Sequence, residues 1–165
     1  MKRRALIAIA LVLVILATVT ITTAASRGEL GKLRAATAKY QKLEAAQADG
    51  YGLVPGLDHC FEKPGTGAMG YHYINTNLLD TKLDADRPEA MVYSSSKGGK
   101  LKLSAVEYIV PADAWAATEN SGLPEVLGRH LHLNEELGVY VLHAWVWQNN
   151  PAGVFEDWNP RVTCP

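Results

Sequence analysis

The chain has 165 residues, of which 48% are hydrophobic and 20% charged, and its formal net charge is −1. This length is enough for one ordinary domain, and the apolar fraction excludes a disordered chain. The near-neutral charge excludes a basic surface for nucleic acids, so we expect no nucleic-acid partner. Two cysteines are too few for a disulfide-dense miniprotein.

Residues 1–25 have the pattern of an export signal. Three basic residues precede an uncharged run from Ala5 to Ile21, and small residues follow it. The alternative is an uncleaved membrane anchor, for which this run has the minimum length. Either way, residues 26–165 are predicted to form one extracytoplasmic domain, secreted or anchored, that meets the membrane only through the N-terminal segment. That domain is mildly acidic, with thirteen Lys and Arg against seventeen Asp and Glu.

Cys60 and Cys164 are predicted to form a disulfide. Cysteines of exported proteins are usually oxidised, and two of them allow only one intramolecular pairing. The enclosed loop of about a hundred residues would contribute on the order of 4 kcal/mol to stability. A metal-binding or redox role is the alternative, but the chain has no Cys-x-x-Cys motif.

The predicted elements give an α+β domain with a mostly antiparallel, curved sheet or half-barrel packed against one N-terminal helix. The helix is predicted over Leu33–Asp49, where apolar residues recur every three or four positions. The predicted strands are Ala68–Ile74, Met91–Tyr93, Leu101–Val110 and Val139–Trp147. A short helix is predicted over Pro111–Thr118 and a helical turn over Pro124–Leu127.

Three of these strands each place one ionisable residue among apolar residues on one face, because side chains alternate between the faces of a strand. The residues are His72, Glu107 and His143. The predicted neighbours of Glu107 on its face are Leu101, Leu103, Ala105 and Ile109. Those of His143 are Val139, Val141, Trp145 and Trp147. Lys102 and Ser104 predict that the opposite face of the strand that carries Glu107 is wetter, at least at its start.

If the three strands are neighbours, His72, Glu107 and His143 converge. Two imidazoles and one carboxylate favour a divalent metal: zinc, iron or copper. Copper would need the sulfur of Met69, which the alternation places on the other face. In a catalytic site, Glu107 or a histidine would act as the general base. No nucleophile motif accompanies them, so enzymatic activity is left open.

Two metal-free alternatives remain. The same three residues can form a buried, hydrogen-bonded network that only stabilises the core. A face made by Trp145, Trp158 and Tyr71 can instead bind a small molecule or a cell-envelope component.

Three further segments are relevant. His130 and His132 have strand-like spacing, but their polar neighbours favour a solvent-facing loop. The run Gly65–Gly70 matches a dinucleotide-binding fingerprint, but a strand rather than a helix is predicted after it, so we interpret its glycines as allowing close backbone approach. The turn-rich segment Asn149–Pro160 is predicted to be a packed lid or the wall of a site.

Several motifs are distributed along the chain. They are ATAKY (Ala36–Tyr40), MGYHY (Met69–Tyr73), VEY (Val106–Tyr108), LHAWVW (Leu142–Trp147), NPAGVFEDWNP (Asn150–Pro160) and NPRVTC (Asn159–Cys164). In this combination the chain resembles a set of exported bacterial proteins of unassigned function. The resemblance covers residues 35–165 and implies export and a single domain. It implies no activity, and it assigns no site residues.

Overall fold

The computed structural model describes residues 27–96 and 98–165. The predicted signal or anchor at 1–25 lies outside the described residues. Among the helices that are described, none combines the length and the apolar character needed to cross a membrane.

A six-stranded sheet forms most of the domain. Its strands are β1 (Phe61–Lys63), β2 (Gly67–Ile74), β3 (Ala90–Ser95), β4 (Leu101–Pro111), β7 (His132–Asn134) and β8 (Val139–Ala144). Their order across the sheet is β1-β2-β3-β4-β8-β7, and every neighbouring pair is antiparallel. The sheet curls into a half-barrel, which confirms the predicted α+β class.

The N-terminal helical segment covers one face of the sheet, but it is not the continuous helix predicted over Leu33–Asp49. Helix α1 already spans residue 27 and ends at residue 37. A 3-10 turn (Ala38–Gln41) and helix α2 (Leu43–Ala48) follow, separated by Lys42 in an extended conformation. The hydroxyl of Tyr93 donates to the Tyr40 carbonyl at 2.7 Å, so a bond to the sheet replaces the helical bond that this carbonyl would otherwise accept.

The region after β4 contains a small hairpin where a helical turn was predicted. Helix α3 (Ala112–Ala116) follows Pro111 as expected. Strands β5 (Glu125–Val126) and β6 (Arg129–His130) then pair antiparallel. Leu127 and Gly128 connect them with positive φ angles of 54° and 64°. Such a turn normally carries Asn-Gly, so Leu-Gly gave no hairpin signal.

The core lies mainly on the helix-facing side of the sheet. A β-bulge explains why strict alternation along β4 placed Leu103 on the wrong face. Val92 pairs with Ala105 but Tyr93 pairs with Leu103, which leaves Ser104 as an extra residue in β4. Leu103 therefore joins the main core instead of sharing a face with Glu107. The wetter character predicted for the start of the opposite face holds at Lys102, which is exposed, but not at Ser104, and Val106 and Tyr108 further along are fully buried.

Strand β8 is also shorter than predicted. It ends at Ala144, after which the Trp145 amide donates to Val154 and the Trp147 amide to Ser104. Trp145 packs in a small cluster on the back of the sheet, which is the face turned away from the helices. Trp147 packs against the main core. The two tryptophans therefore do not share the single face that regular alternation predicted.

The C-terminal segment lies against the back of the sheet. The predicted disulfide between Cys60 and Cys164 is present. Ala68 and Asn159 exchange two backbone hydrogen bonds, of 3.1 and 3.2 Å. A Cβ at Gly67 would lie 2.3 Å from the Asn159 carbonyl oxygen. This glycine of the Gly65–Gly70 run thus allows two chain segments to approach closely.

Candidate metal centre

His72, Glu107 and His143 converge on the back of the sheet. They lie in β2, β4 and β8, and Glu107 is directly opposite His143 in the β4–β8 pair. Strand β3 separates His72 from the other two: His72 is opposite Val92, and Glu107 is opposite Ala90, two residues further along β3. The imidazole of His72 therefore reaches Glu107 diagonally across β3, over the face that carries Ala90 and Val92.

The facing polar atoms of the three side chains lie within a few ångströms. The Nε2 atoms of His72 and His143 are 3.2 Å apart. Oε2 of Glu107 is 3.5 Å from Nε2 of His72, and Oε1 is 3.7 Å from Nε2 of His143. One ligand atom from each residue lies within 4.8 Å of the others, which is close enough to hold a metal ion.

Apolar side chains surround this polar group on two sides. One cluster contains Ala68, Val92, Ala105, Trp145 and Val162. The other contains Ile74, Ala90, Ile109 and Val141. The side chains of the three polar residues are only 1–9% exposed. Charge within this group is therefore poorly screened by water and needs a partner inside the group.

Asp157 is the member of this centre that the sequence analysis missed. Its Oδ1 lies 3.1 Å from Nδ1 of His143, and its Oδ2 lies 3.1 Å from Nε2 of the exposed His132. A carboxylate that accepts the Nδ1–H of a histidine leaves the Nε2 lone pair available to a metal. The only sequence signal was that Asn149–Pro160 would be a packed lid or the wall of a site, which singled out no residue.

His72 has no corresponding partner. Its Nδ1 is buried and makes no hydrogen bond within the described structure. The Gly70 carbonyl nevertheless lies close enough to favour the protonated ring. Burial and the neighbouring His143 outweigh this effect and lower the pKa of His72 to about 3. His72 is therefore neutral near pH 7, the state in which an imidazole binds a metal.

Glu107, His143 and Asp157 form an electrostatically coupled set. Burial raises the pKa of Glu107, and His143 offsets part of this effect. Burial alone would lower the pKa of His143, but the carboxylates of Glu107 and Asp157 raise it overall. Burial likewise opposes ionisation of Asp157, but its hydrogen bond with His143 lowers its pKa overall. Because their pKa values are raised, Glu107 and His143 bind protons readily. A metal cation would have to compete with those protons for the same nitrogen and oxygen atoms.

The three aromatic residues proposed as a binding face do not form one surface. Trp145 is 4% exposed, so its ring is not available to a ligand, and its Nε1–H donates to the Glu156 carbonyl. Tyr71 packs against the main core on the opposite side of the sheet. Trp158 is half-buried, and the Lys63 ammonium lies 5.9 Å from its ring centre.

His130 ends the short strand β6 and His132 begins the short strand β7, so this segment is not the predicted loop. Both imidazoles are exposed, as predicted, with side-chain exposures of 63% and 51%. They line a cavity of about 380 Å³ together with Asp157.

The chain matches no protein-family model, no curated protein and no solved structure. The resemblance to exported bacterial proteins therefore stays a prediction.

Proposed function

We propose that this chain is an exported protein that holds one zinc ion between His72, Glu107 and His143. The observation that carries the proposal is the convergence of two imidazole Nε2 atoms and one carboxylate from three strands. Strands are rigid supports, so such a set is preorganised for an ion rather than assembled around it. The disulfide and the export-like pattern at 1–25 support the extracytoplasmic location.

The spacing of the candidate ligand atoms is compatible with a tetrahedral zinc ion. A tetrahedral ion with bonds of about 2.1 Å separates its ligand atoms by about 3.4 Å, whereas an octahedral ion separates neighbouring ligands by about 3.0 Å. The observed separations are 3.2, 3.5 and 3.7 Å. Two nitrogens and one oxygen also suit zinc, and Asp157 supplies the carboxylate that commonly supports a zinc-binding histidine.

The proposed role is metal binding, without hydrolysis of a substrate. Three protein ligands leave one zinc position open, as in catalytic zinc sites. A substrate, however, would have to reach a group whose side chains are at most 9% exposed. Two cavities of the described structure, beside His132 and beside Glu89, are lined by other residues and reach neither His72 nor Glu107.

Elemental analysis tests this function. The full chain is exported from a host, purified without a metal-affinity column and dialysed before its metal content is measured. We expect about one equivalent of zinc in the wild type and in His59→Ala, a matched change at an exposed histidine. His143→Ala and His72→Ala should each lose it. If the wild type holds no metal after incubation with zinc, the three residues form a buried hydrogen-bonded network and the proposal is wrong.

A further inference from the structure

The charged residues that follow the predicted signal or anchor are unevenly distributed along the chain. Residues 27–42, here called the basic segment, contain five Lys and Arg and one Asp or Glu. Residues 43–165 contain eight Lys and Arg and sixteen Asp and Glu. The basic segment therefore has a formal charge of +4, whereas the rest of the domain has a formal charge of −8.

The basic side chains of this segment are all exposed. They are Arg27, Lys32, Arg34, Lys39 and Lys42. Lys39 forms an exposed ion pair with Asp49, and the Arg34 guanidinium lies over the Trp147 ring, 4.6 Å from its centre. Among the residues that the structure describes, Arg27, Lys32 and Lys42 form no ion pair. Their charges are therefore available to an anionic partner outside the chain.

The basic segment lies next to the part of the chain that is predicted to meet a membrane. It begins two residues after the predicted signal or anchor at 1–25, and it comprises helix α1 and the 3-10 turn that follows. Lys and Arg clustered beside an apolar membrane segment, or on a surface helix, form the pattern that binds anionic lipid headgroups. The location of the charge thus favours a lipid surface over an acidic protein as the partner.

The distribution of charge also favours one orientation at such a surface. The basic segment belongs to the helices that cover one face of the sheet, whereas His72, Glu107 and His143 lie on the other face. The acidic remainder of the domain is repelled by an anionic bilayer. When the basic segment lies against the bilayer, the back of the sheet and its metal centre therefore face the water.

We propose that the basic segment is an electrostatic docking surface for a bilayer that contains anionic lipids. Docking extends the predicted membrane contact from residues 1–25 into the folded domain, and it determines which face of the domain is turned toward the membrane. It rests on the extracytoplasmic location in the proposed function and is independent of zinc binding.

Sedimentation with lipid vesicles tests the docking on the exported protein. Binding at low salt is measured to vesicles of phosphatidylcholine alone and to vesicles of phosphatidylcholine mixed with phosphatidylglycerol. The variant Arg27→Gln/Lys32→Gln/Lys42→Gln removes the three unpaired charges. The comparison between the two vesicle types cancels the contribution of a retained apolar run, because apolar insertion does not depend on the charge of the headgroups.

The matched control is Lys82→Gln/Lys100→Gln/Lys102→Gln, which removes the same charge from exposed lysines of the acidic remainder. We expect the wild type and this control to prefer the anionic vesicles. The variant of the basic segment should lose roughly 100-fold of that preference, since each basic residue close to an anionic surface strengthens binding roughly fivefold. Raising the salt to about 0.5 M should also reduce the wild-type preference, because the added ions screen exposed charges.

Lysine labelling gives a second measurement, which applies even when a retained apolar run holds all of the protein on both vesicle types. The rate of labelling by an amine-specific reagent is read for each lysine by mass spectrometry. Labelling should be slowed at Lys32 and Lys42 on the anionic vesicles. Labelling of Lys82 and Lys100 should be the same on both vesicle types.

A wild type without preference for anionic vesicles, and without slower labelling at Lys32, would overturn the proposal. Equal losses in the two triple variants would assign the effect to net charge and would contradict a role of the basic segment. A salt-sensitive dimer that forms without vesicles and is lost in the variant of the basic segment would make the partner a second copy of the chain. Failure of the proposed zinc site is distinguishable, because it changes the metal content and leaves these vesicle measurements unaltered.

Discussion

Glu107 and Glu89 are both buried carboxyl groups of the same sheet, and they have different partners. Glu107 is 7% exposed and faces the Nε2 atoms of two histidines. Glu89, just before β3, is 2% exposed, and its Oε2 accepts the Ile109 amide at 3.0 Å. Burial raises the pKa of both groups, to about 7 for Glu89. Burial alone therefore does not mark a functional carboxylate, and what distinguishes Glu107 is the pair of imidazoles beside it.

Replacing each glutamate with glutamine gives the largest expected difference between the two. Glu107→Gln should weaken zinc binding by about 1,000-fold, because loss of a ligand exceeds the 10- to 100-fold effect of changing a group that only supports a ligand. Glu89→Gln should leave zinc affinity unchanged. Competition with a chelator of known affinity measures both. Equal affinities for the two variants would remove Glu107 from the site.

Glu89 should instead control the pH dependence of stability. Its folded-state pKa of about 7 lies above the ordinary 4.5, so the folded state holds the proton more tightly than the unfolded state. The resulting stability is fully present below pH 4.5 and is lost as the pH rises through 7. The total loss is about 3 kcal/mol, at 1.36 kcal/mol for each unit of pKa difference.

Urea unfolding at pH 5 and pH 8, with a chelator present, measures this effect. The difference in unfolding free energy between the two pH values should shrink by most of that amount in Glu89→Gln. Glu44→Gln, a matched change at an exposed glutamate, should behave like the wild type. If Glu89→Gln shows the same difference in unfolding free energy between pH 5 and pH 8 as the wild type, Glu89 titrates normally in the folded protein.

A change at Asp157 tests whether the histidines beside Glu107, and not burial alone, distinguish it from Glu89. Asp157→Asn should lower zinc affinity by about 10- to 100-fold, because the amide orients His143 less well than a carboxylate does and supplies no charge. Asp113→Asn, at an exposed position at the start of α3, should have no effect. Isothermal titration with zinc provides the measurement. An Asp157→Asn variant with wild-type affinity would show that His143 needs no support from Asp157.

The sequence predicted that His72, Glu107 and His143 each lie on a face with apolar residues because alternation along a strand is a local property. His72, Glu107 and His143 lie in the regularly paired segments 71–74, 106–111 and 139–144 of β2, β4 and β8, and alternation holds there. It fails at Ser104, where the bulge reverses the face of Leu103, and at the end of β8. Neither failure moves His72, Glu107 or His143 to the other face, since both lie outside the paired segments that carry these residues.

Asp157 and Glu89 could not be found in this way. Asp157 reaches His143 from an irregular segment, where no periodicity relates a side chain to a face of the sheet. Glu89 lies between Pro88 and the predicted strand Met91–Tyr93, where the sequence predicted no element that would place its side chain. The helix break at Lys42 was equally invisible, because a bond from Tyr93, distant in sequence, replaces a local helical bond.

The most direct test of the zinc site is anomalous diffraction from crystals of the zinc-loaded protein, with data on both sides of the zinc absorption edge. The account predicts a strong peak on the back of the sheet, about 2.0–2.1 Å from Nε2 of His72, Nε2 of His143 and one carboxylate oxygen of Glu107. Zinc found only at the surface, with His72 and His143 still 3.2 Å apart and no density between them, would contradict the account.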